Sequence, residues 1–241
     1  MYATLSPPWK KSLLLVFVSA VAFATATPAT SGPQCFFQGL GFLPGGNSSA
    51  ANGVSANGTV VVGQAQQPPL PPFRGQAFRW TAASGMVGLG VLPGFFLRST
   101  ATGVNADGTV VVGSSFAPPS PPPRPHSEAF RWTAASGMVG LGHLPGGEAS
   151  RAFGVNADGT VVVGEDNPSA FFIFQAFRWT AASGMVGLGF LPGGFESHAV
   201  GVNADGTVVV GDASSQAFRW VNGTMTGLGF LPGGSQALPV A

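Results

Sequence analysis

The sequence predicts an all-β fold, a β-propeller-like array of four four-stranded repeats, with a β-solenoid as the alternative architecture. Three blocks of residues alternate along the chain in fixed order, at spacings of 40 to 52 residues between equivalent points. Four short strands in a unit of this length, separated by turn residues, are typical of a propeller blade. The blocks are Gly-Leu-Gly-x-Leu-Pro-Gly from Gly39, Gly88, Gly140, Gly187 and Gly227, Gly-Val-x-Ala-x-Gly-Thr-Val-Val-Val-Gly from Gly53, Gly103, Gly154 and Gly201, and Ala-Phe-Arg-Trp from Ala77, Ala129, Ala176 and Ala217.

The first two strands of each repeat are predicted to form a hairpin. In the second repeat Asn105 can bond to the backbone ahead of it, and Asp107 tolerates the bridge region of backbone conformation. Gly108 then supplies the positive φ of a type I turn closed by a G1 bulge. The β-branched run from Thr109 to Val112 follows, and its apolar residues on both faces indicate a strand buried on both sides.

The third and fourth strands are predicted at Gln76–Trp80 and Met86–Leu92 in the first repeat, and Pro93-Gly94 ends the fourth. The connection between the second and third strands varies among the repeats, over residues 64–75, 114–127, 165–174 and 212–215. Proline clusters predict polyproline-II excursions in the first two of these connections. In a propeller all four would emerge on one face, either as tolerated insertions or as a binding surface.

Residues 1–26 predict a secretory signal peptide. Lys10 and Lys11 form a basic start, residues 12–24 are mainly apolar, and Ala24-Thr25-Ala26 fits the cleavage pattern. Residues 27–38 are interpreted as a linker, and the repeats span approximately 39–87, 88–139, 140–186 and 187–234, followed by the start of a fifth repeat within 39–241. We therefore expect a secreted, extracellular protein without a stable membrane span after cleavage. The periplasm and the cell surface are the alternative locations.

The charge and the cysteine content of the chain exclude some classes of binding partner and covalent bond. Only 8 % of the residues are charged and the net charge is +1, so the chain lacks the basic surface that binds nucleic acid. Cys35 is the only cysteine and cannot form an internal disulfide. The low charge favours self-association. We expect no cofactor.

The repeat resembles the HAF repeat family, which comprises probable extracellular repeats of bacterial proteins. The likeness lies in Gln76-Ala77-Phe78-Arg79-Trp80, Gly85-Met86-Val87-Gly88-Leu89-Gly90 and Val104-Asn105-Ala106-Asp107-Gly108, and it recurs over residues 39–234. The resemblance implies a secreted or surface protein of repeated β-structure with no assigned enzymatic activity. The chain departs from the family where the histidine of His-Ala-Phe would fall, because it has Gln76, Glu128, Gln175 and Gln216 there. This departure argues against a ring of histidine ligands.

The candidate ligand-binding residues are four arginines that recur between aromatic neighbours. A buried guanidinium needs partners, so these side chains either pair with turn aspartates and strand-end carbonyls or face a central channel that holds an anionic ligand. The tryptophan after each arginine is interpreted as a packing residue between blades. The four arginines are Arg79, Arg131, Arg178 and Arg219.

No catalytic or metal-binding residue is predicted. The Asn105-x-Asp107-Gly108 motif resembles part of a calcium loop, but position one is a glycine and position twelve is acidic in only two of the four copies. The histidines His126, His143 and His198 occupy non-equivalent positions of the repeat.

The predicted function is a secreted, non-enzymatic binding module whose ligand is an extracellular polysaccharide or another surface protein, held by the variable-loop face. One alternative is a secreted hydrolase whose acid pair comes from carboxylates present in one copy only. The other is a purely structural or truncated repeat protein. The single-copy carboxylates are Glu148, Glu165, Asp166 and Glu196.

Overall fold

The computed structural model describes residues 38–67, 74–95, 98–120, 124–167 and 173–234, and over these ranges the chain is all-β, with 16 strands and no helix. The all-β part of the prediction is thereby confirmed. The strands are β1 Ser49–Val54, β2 Val60–Gln67, β3 Arg74–Thr81, β4 Gly85–Gly88, β5 Arg98–Val104, β6 Val110–Ser120, β7 Arg124–Thr133, β8 Gly137–Gly140, β9 Ala149–Val155, β10 Val161–Asn167, β11 Gln175–Thr180, β12 Gly184–Gly187, β13 His198–Val202, β14 Val208–Ala213, β15 Gln216–Val221 and β16 Thr224–Gly227.

Each repeat is one antiparallel meander in which strands adjacent in sequence are adjacent in the sheet. Repeat one comprises β1–β4, repeat two β5–β8, repeat three β9–β12 and repeat four β13–β16. Repeats two and three join into one eight-stranded sheet, because Ser127 of β7 pairs in parallel with Ala149 of β9. The described strands thus form three sheets, none of which closes into a barrel.

The predicted hairpins between the first and second strands are confirmed. In repeat two the Asn105 side-chain oxygen accepts a hydrogen bond from the Val110 amide at 2.9 Å. Asp107 Oδ1 accepts from both the amide and the hydroxyl of Thr109, at 3.0 and 2.6 Å. Gly108 has a φ of 77°, which an L side chain rarely adopts. The side chains therefore supply the bonds that close the turn.

Consecutive repeats pack face to face. The downstream face contacts the following repeat and carries Val60, Val62, Leu89, Leu92 and their equivalents. The upstream face contacts the preceding repeat and carries the equivalents of Val54, Val61, Phe78, Trp80 and Met86. In repeat one itself, Leu43 from the block before β1 packs against the last four of these residues. The three cores between consecutive repeats combine one face of each kind. The second strand is therefore buried on both sides, as its sequence predicts: Val110, Val111 and Val112 are at most 3 % exposed.

A column of glycines lets the first strands of the repeats approach one another. A Cβ atom at Gly103 would lie 3.1 Å from the Phe153 carbonyl oxygen of repeat three, and one at Gly154 would lie 3.3 Å from the Val200 carbonyl oxygen of repeat four. Both distances are tighter than ordinary van der Waals contact. The glycine that opens the Gly-Val block is therefore needed for close packing between strands wherever a described repeat follows.

Two predictions, one of a strand end and one of a loop, differ from the structure. The fourth strand of repeat one ends at Gly88 instead of Leu92, because Gly90 has a φ of 82° and turns the chain, so that Leu92 packs into the core between repeats. The proline segment of repeat two does not form a polyproline-II excursion over residues 118–120 and 124–125, which extend the paired strands β6 and β7. A register shift between Ala117 and Ser120 interrupts the regular pairing there.

The predicted signal peptide (residues 1–26) and most of the linker (27–38) lie outside the described residues, as do residues 68–73 and 235–241, where a proline cluster and part of the fifth repeat are predicted. Within the described ranges, no helix has the length and apolar character that crossing a bilayer requires.

Candidate functional site

The four predicted arginines lie on the third strand of each repeat, and three of them donate hydrogen bonds to a turn carbonyl of the next repeat. These bonds join Arg79 Nε to Gly108 O at 3.0 Å, Arg131 Nε to Gly159 O at 3.0 Å, and both Nε and Nη2 of Arg178 to Gly206 O at 3.2 Å. The fourth, Arg219, is exposed, and no following hairpin turn lies beside it in the described part of the chain.

The strands that meet around a common cavity are the first strands of the repeats, not the arginine-bearing third strands. This cavity has a volume of about 230 Å³ and is lined by residues at equivalent positions: Asn52, Thr102, Phe153 and Val200. Arg131 and Arg178 instead line a surface cavity of about 490 Å³ together with Trp179 and Asp205. Ligand binding by the arginines stays a prediction.

The most concentrated chemistry lies at the variable-loop end of repeats three and four. Glu165 on β10 is 5 % exposed, and it lies directly opposite Arg151 in the strand register. Its Oε1 accepts a hydrogen bond from Arg151 Nη1 at 2.9 Å, and its Oε2 lies 2.6 Å from Nδ1 of His198, on β13 of repeat four. One buried carboxylate is thus shared between a guanidinium of repeat three and an imidazole of repeat four.

Phe174 connects this arrangement to the variable loop. The centroid of the Phe174 ring lies 5.7 Å from that of the His198 ring. The guanidinium carbon of Arg151 lies 5.5 Å from the Phe174 centroid. Both distances suit aromatic and cation–π contacts. We call Arg151, Glu165, Phe174 and His198 the polar cluster. Arg151 and His198 are partly exposed, with 32 % and 23 % of their side-chain surface accessible.

Asp166 follows Glu165 on the same strand and therefore points to the opposite face. It is fully buried, its Oδ2 accepts from the Leu144 amide at 2.6 Å, and its Oδ1 lies 3.2 Å from His143 Nδ1. Glu165 and Asp166 have no partner in common among these bonds. The two therefore do not flank one substrate bond as a hydrolytic acid pair must.

Both histidine–carboxylate contacts favour the charged form of the imidazole. The hydrogen bond to Glu165 raises the pKa of His198 above its ordinary value, against the opposing effect of burial. The hydrogen bond to Asp166 raises the pKa of His143 in the same way. Burial raises the pKa of Asp212, which lies opposite His198 in the register of strands β13 and β14. These perturbed groups distinguish this end of the molecule.

The other repeats carry weaker versions of the same contact. The position of His198 is taken by Thr100 in repeat two, and the position of Glu165 by Gln64 in repeat one. The Thr100 hydroxyl donates to Gln64 Oε1 at 3.1 Å, which joins repeats two and one as the His198–Glu165 contact joins repeats four and three. The sequence analysis named Glu165 as a candidate and His198 as a residue without a role, and it missed Arg151 and Phe174. Comparing the copies position by position would have found where neutral residues give way to charged ones.

Within the described ranges no group of three or more His, Cys, Asp or Glu side chains is arranged to hold a metal ion. The turn aspartates Asp107, Asp158 and Asp205 are occupied by bonds from the threonines that follow them, and these bonds lower their pKa.

Comparisons with known proteins identify no family. No family model matches the chain, and no curated protein matches it. Among solved structures the chain is similar to an oligogalacturonate lyase in complex with manganese, at 14 % sequence identity and a TM-score of 0.33. The match covers 78 % of this chain and 66 % of that chain, slightly less than two thirds of the lyase. A likeness this distant carries no argument about activity.

Proposed function

We propose that the chain is a secreted, non-enzymatic binding module that holds an extracellular polysaccharide at the polar cluster, with its repeats in a β-propeller-like arrangement. The resemblance to the HAF repeat family accords with this location and role. The cavity shared by the four first strands supports the propeller-like arrangement over a solenoid.

The shared carboxylate is the observation that carries the proposal. Glu165 fixes both Arg151 and His198 by hydrogen bonds, so these side chains lose little further conformational freedom when a ligand binds. Each retains exposed surface that can donate to sugar oxygens, and Phe174 supplies an aromatic ring beside them. A preorganised polar group next to an aromatic ring suits a saccharide.

The experiment is a glycan array, followed by titration of the sugar that binds against the wild type and single variants. We expect Arg151→Ala and His198→Ala to weaken binding by about tenfold or more, because each removes a charged hydrogen-bond donor. Thr100→Ala is the matched control, since it occupies the position of His198 in repeat two and should leave the affinity unchanged. Absence of binding to every glycan, or equal loss in the control, would reject the polysaccharide site. Binding to a surface protein alone would support the protein ligand instead.

A hydrolase is the second proposal, and the raised pKa of Asp212 favours it. A carboxyl group that keeps its proton closer to neutral pH can act as a general acid. Incubation with any polysaccharide that binds, followed by measurement of reducing ends, tests this activity. Release of reducing ends that is lost in Asp212→Asn would replace the binding module with an enzyme.

A further inference from the structure

The inter-repeat contact recurs three times within the chain, and its two halves are left open at the two ends of the described repeats. The downstream face of repeat four has no repeat after it, and the upstream face of repeat one has no repeat before it, among the described residues. No contact comparable to those between consecutive first strands joins β13 to β1. The open faces carry the same residue types as the faces that pack together inside the chain.

The downstream face of repeat four is apolar and exposed. Val210 is 38 % exposed, whereas its equivalents Val62, Val112 and Val163 are each 0 % exposed. Leu228 is 61 % exposed, whereas Leu188, its equivalent in repeat three, is 7 % exposed. A face of this kind is normally covered in a soluble protein.

The upstream face of repeat one is exposed in a complementary way. Val54 is 60 % exposed, whereas its equivalents in the later repeats are partly buried in the cores between repeats. A Cβ atom at Gly58 would meet no atom within 4 Å, whereas one at Gly108 would meet Val60 of the preceding repeat. The part of this face around Val54 and Gly58 is therefore open, whereas Leu43, from the block before β1, already packs against Phe78 and Trp80.

The hydrogen bonds between repeats also stop at these faces. Turn amides donate to the next turn from Ala56 to Ala106, from Ala106 to Ala157 and from Ala157 to Ala204, so the series ends with the Ala204 amide. The third-strand amides of repeats one to three donate to Ser99, Ser150 and Ser197, and Ser49 is the equivalent serine of repeat one. Repeat four offers the equivalent donors, which are the backbone amides of Ala204 and Ala217 and the guanidinium of Arg219. Repeat one offers the equivalent acceptors, which are the backbone carbonyls of Ala56 and Gly58 and the hydroxyl of Ser49.

We infer that two copies of this chain associate head to tail, with the downstream face of repeat four in one copy seated on the upstream face of repeat one in the other. The contact repeats the open part of the internal inter-repeat contact: Leu228 and Val210 cover Val54, beside the core that Leu43 already covers, and Arg219 donates to the Gly58 carbonyl of the second copy. Such an interface is heterologous, so successive contacts close a ring or extend a filament.

The test is light scattering coupled to size-exclusion chromatography over a range of protein concentrations, with two variants that each block one face. Leu228→Asp blocks the downstream face and Val54→Asp the upstream face; both residues are exposed, so the repeats should still fold, as a circular dichroism spectrum would verify. Arg219→Glu is a second block of the downstream face. Val87→Asp is the matched control, because Val87 on the outermost strand is 48 % exposed, as are its equivalents Val139 and Val186, although a repeat follows each of them.

We expect the wild type and Val87→Asp to assemble and each blocked variant to be monomeric. An equimolar mixture of Leu228→Asp and Val54→Asp should form a dimer of about twice the monomer mass, because each supplies the face that the other lacks. A monomeric wild type at every concentration, assembled blocked variants, or a mixture that stays monomeric would overturn the inference.

Discussion

Replacement of Glu165 by glutamine tests whether one carboxylate holds repeats three and four together at the polar cluster. In the wild type its two oxygens serve Arg151 and His198, at 2.9 and 2.6 Å. Glutamine has the same shape but only one acceptor oxygen, so its amide nitrogen would face one of these two donors. A hydrogen bond to a charged group contributes roughly 1.5 to 3 kcal/mol. Because both partners keep some contact with water, we expect a loss of about 1 to 2 kcal/mol in the free energy of unfolding.

The loss should depend on pH, and the raised pKa of His198 sets the sign. A group whose pKa is higher in the folded than in the unfolded state adds stability that is fully present below the unfolded value, 6.5 for histidine. That stability disappears as the pH rises through the folded value. Glu165→Gln removes the main cause of the raised pKa, so its cost should be larger at about pH 5.5 than at about pH 9. The charge of Glu165 also contributes to the raised pKa of Asp212, which lowers stability as the pH rises. Glu165→Gln removes this contribution, so the effect on Asp212 also makes the cost of the substitution smaller at the higher pH.

Urea unfolding followed by tryptophan fluorescence at these two pH values measures both quantities. The same substitution in a His198→Gln background completes a double-mutant cycle and should lose most of its pH dependence. The contact of His143 with Asp166 is present in every variant and cancels from the differences. A cost that is constant with pH, or larger at the alkaline value, would refute the assignment of His198 as the charged partner.

Two further predictions concern the repeats themselves, and urea unfolding measures both. Gly164→Ala should lower the free energy of unfolding by about 3 kcal/mol, because the added Cβ would clash with the backbone carbonyl oxygen of Arg151 on the paired strand. Gly39→Ala is its control and should be close to neutral, because the added Cβ would meet no atom within 4 Å. Arg178→Ala should cost about 1 to 3 kcal/mol, because it removes two bonds to the next turn, whereas Arg219→Ala at a concentration that keeps the chain monomeric should change stability by less than about 0.5 kcal/mol. Equal costs within either pair would contradict the structural reason given.

The sequence predicts the repeated part of the molecule well because its determinants are local. Asn105, Asp107 and Gly108 close a turn with bonds that reach at most five residues along the chain, so the motif suffices to predict the hairpin. The polar cluster depends instead on residues 33 positions apart: His198 meets Glu165 only because repeat four packs against repeat three. The fourth strand ends at Gly88 because Gly90 turns the chain, but the core into which this turn carries Leu92 belongs to the contact with the next repeat, which no local pattern reveals.

Repetition also separates what stabilises this molecule from what distinguishes one part of it from another. Residues present in every copy, such as the arginines of the third strand, bond to the next repeat wherever the described part of the chain contains one, which it does for all but Arg219. A residue type needed at every interface has a sufficient reason to recur without any ligand. The polar cluster has no such reason, because Thr100 and Gln64 make the corresponding contact without charge. The charged version of this contact adds the desolvation cost of burying the Glu165 carboxylate, which the packing of one repeat on the next does not require. This excess over what the fold needs is the physical ground for assigning a function to Arg151, Glu165 and His198.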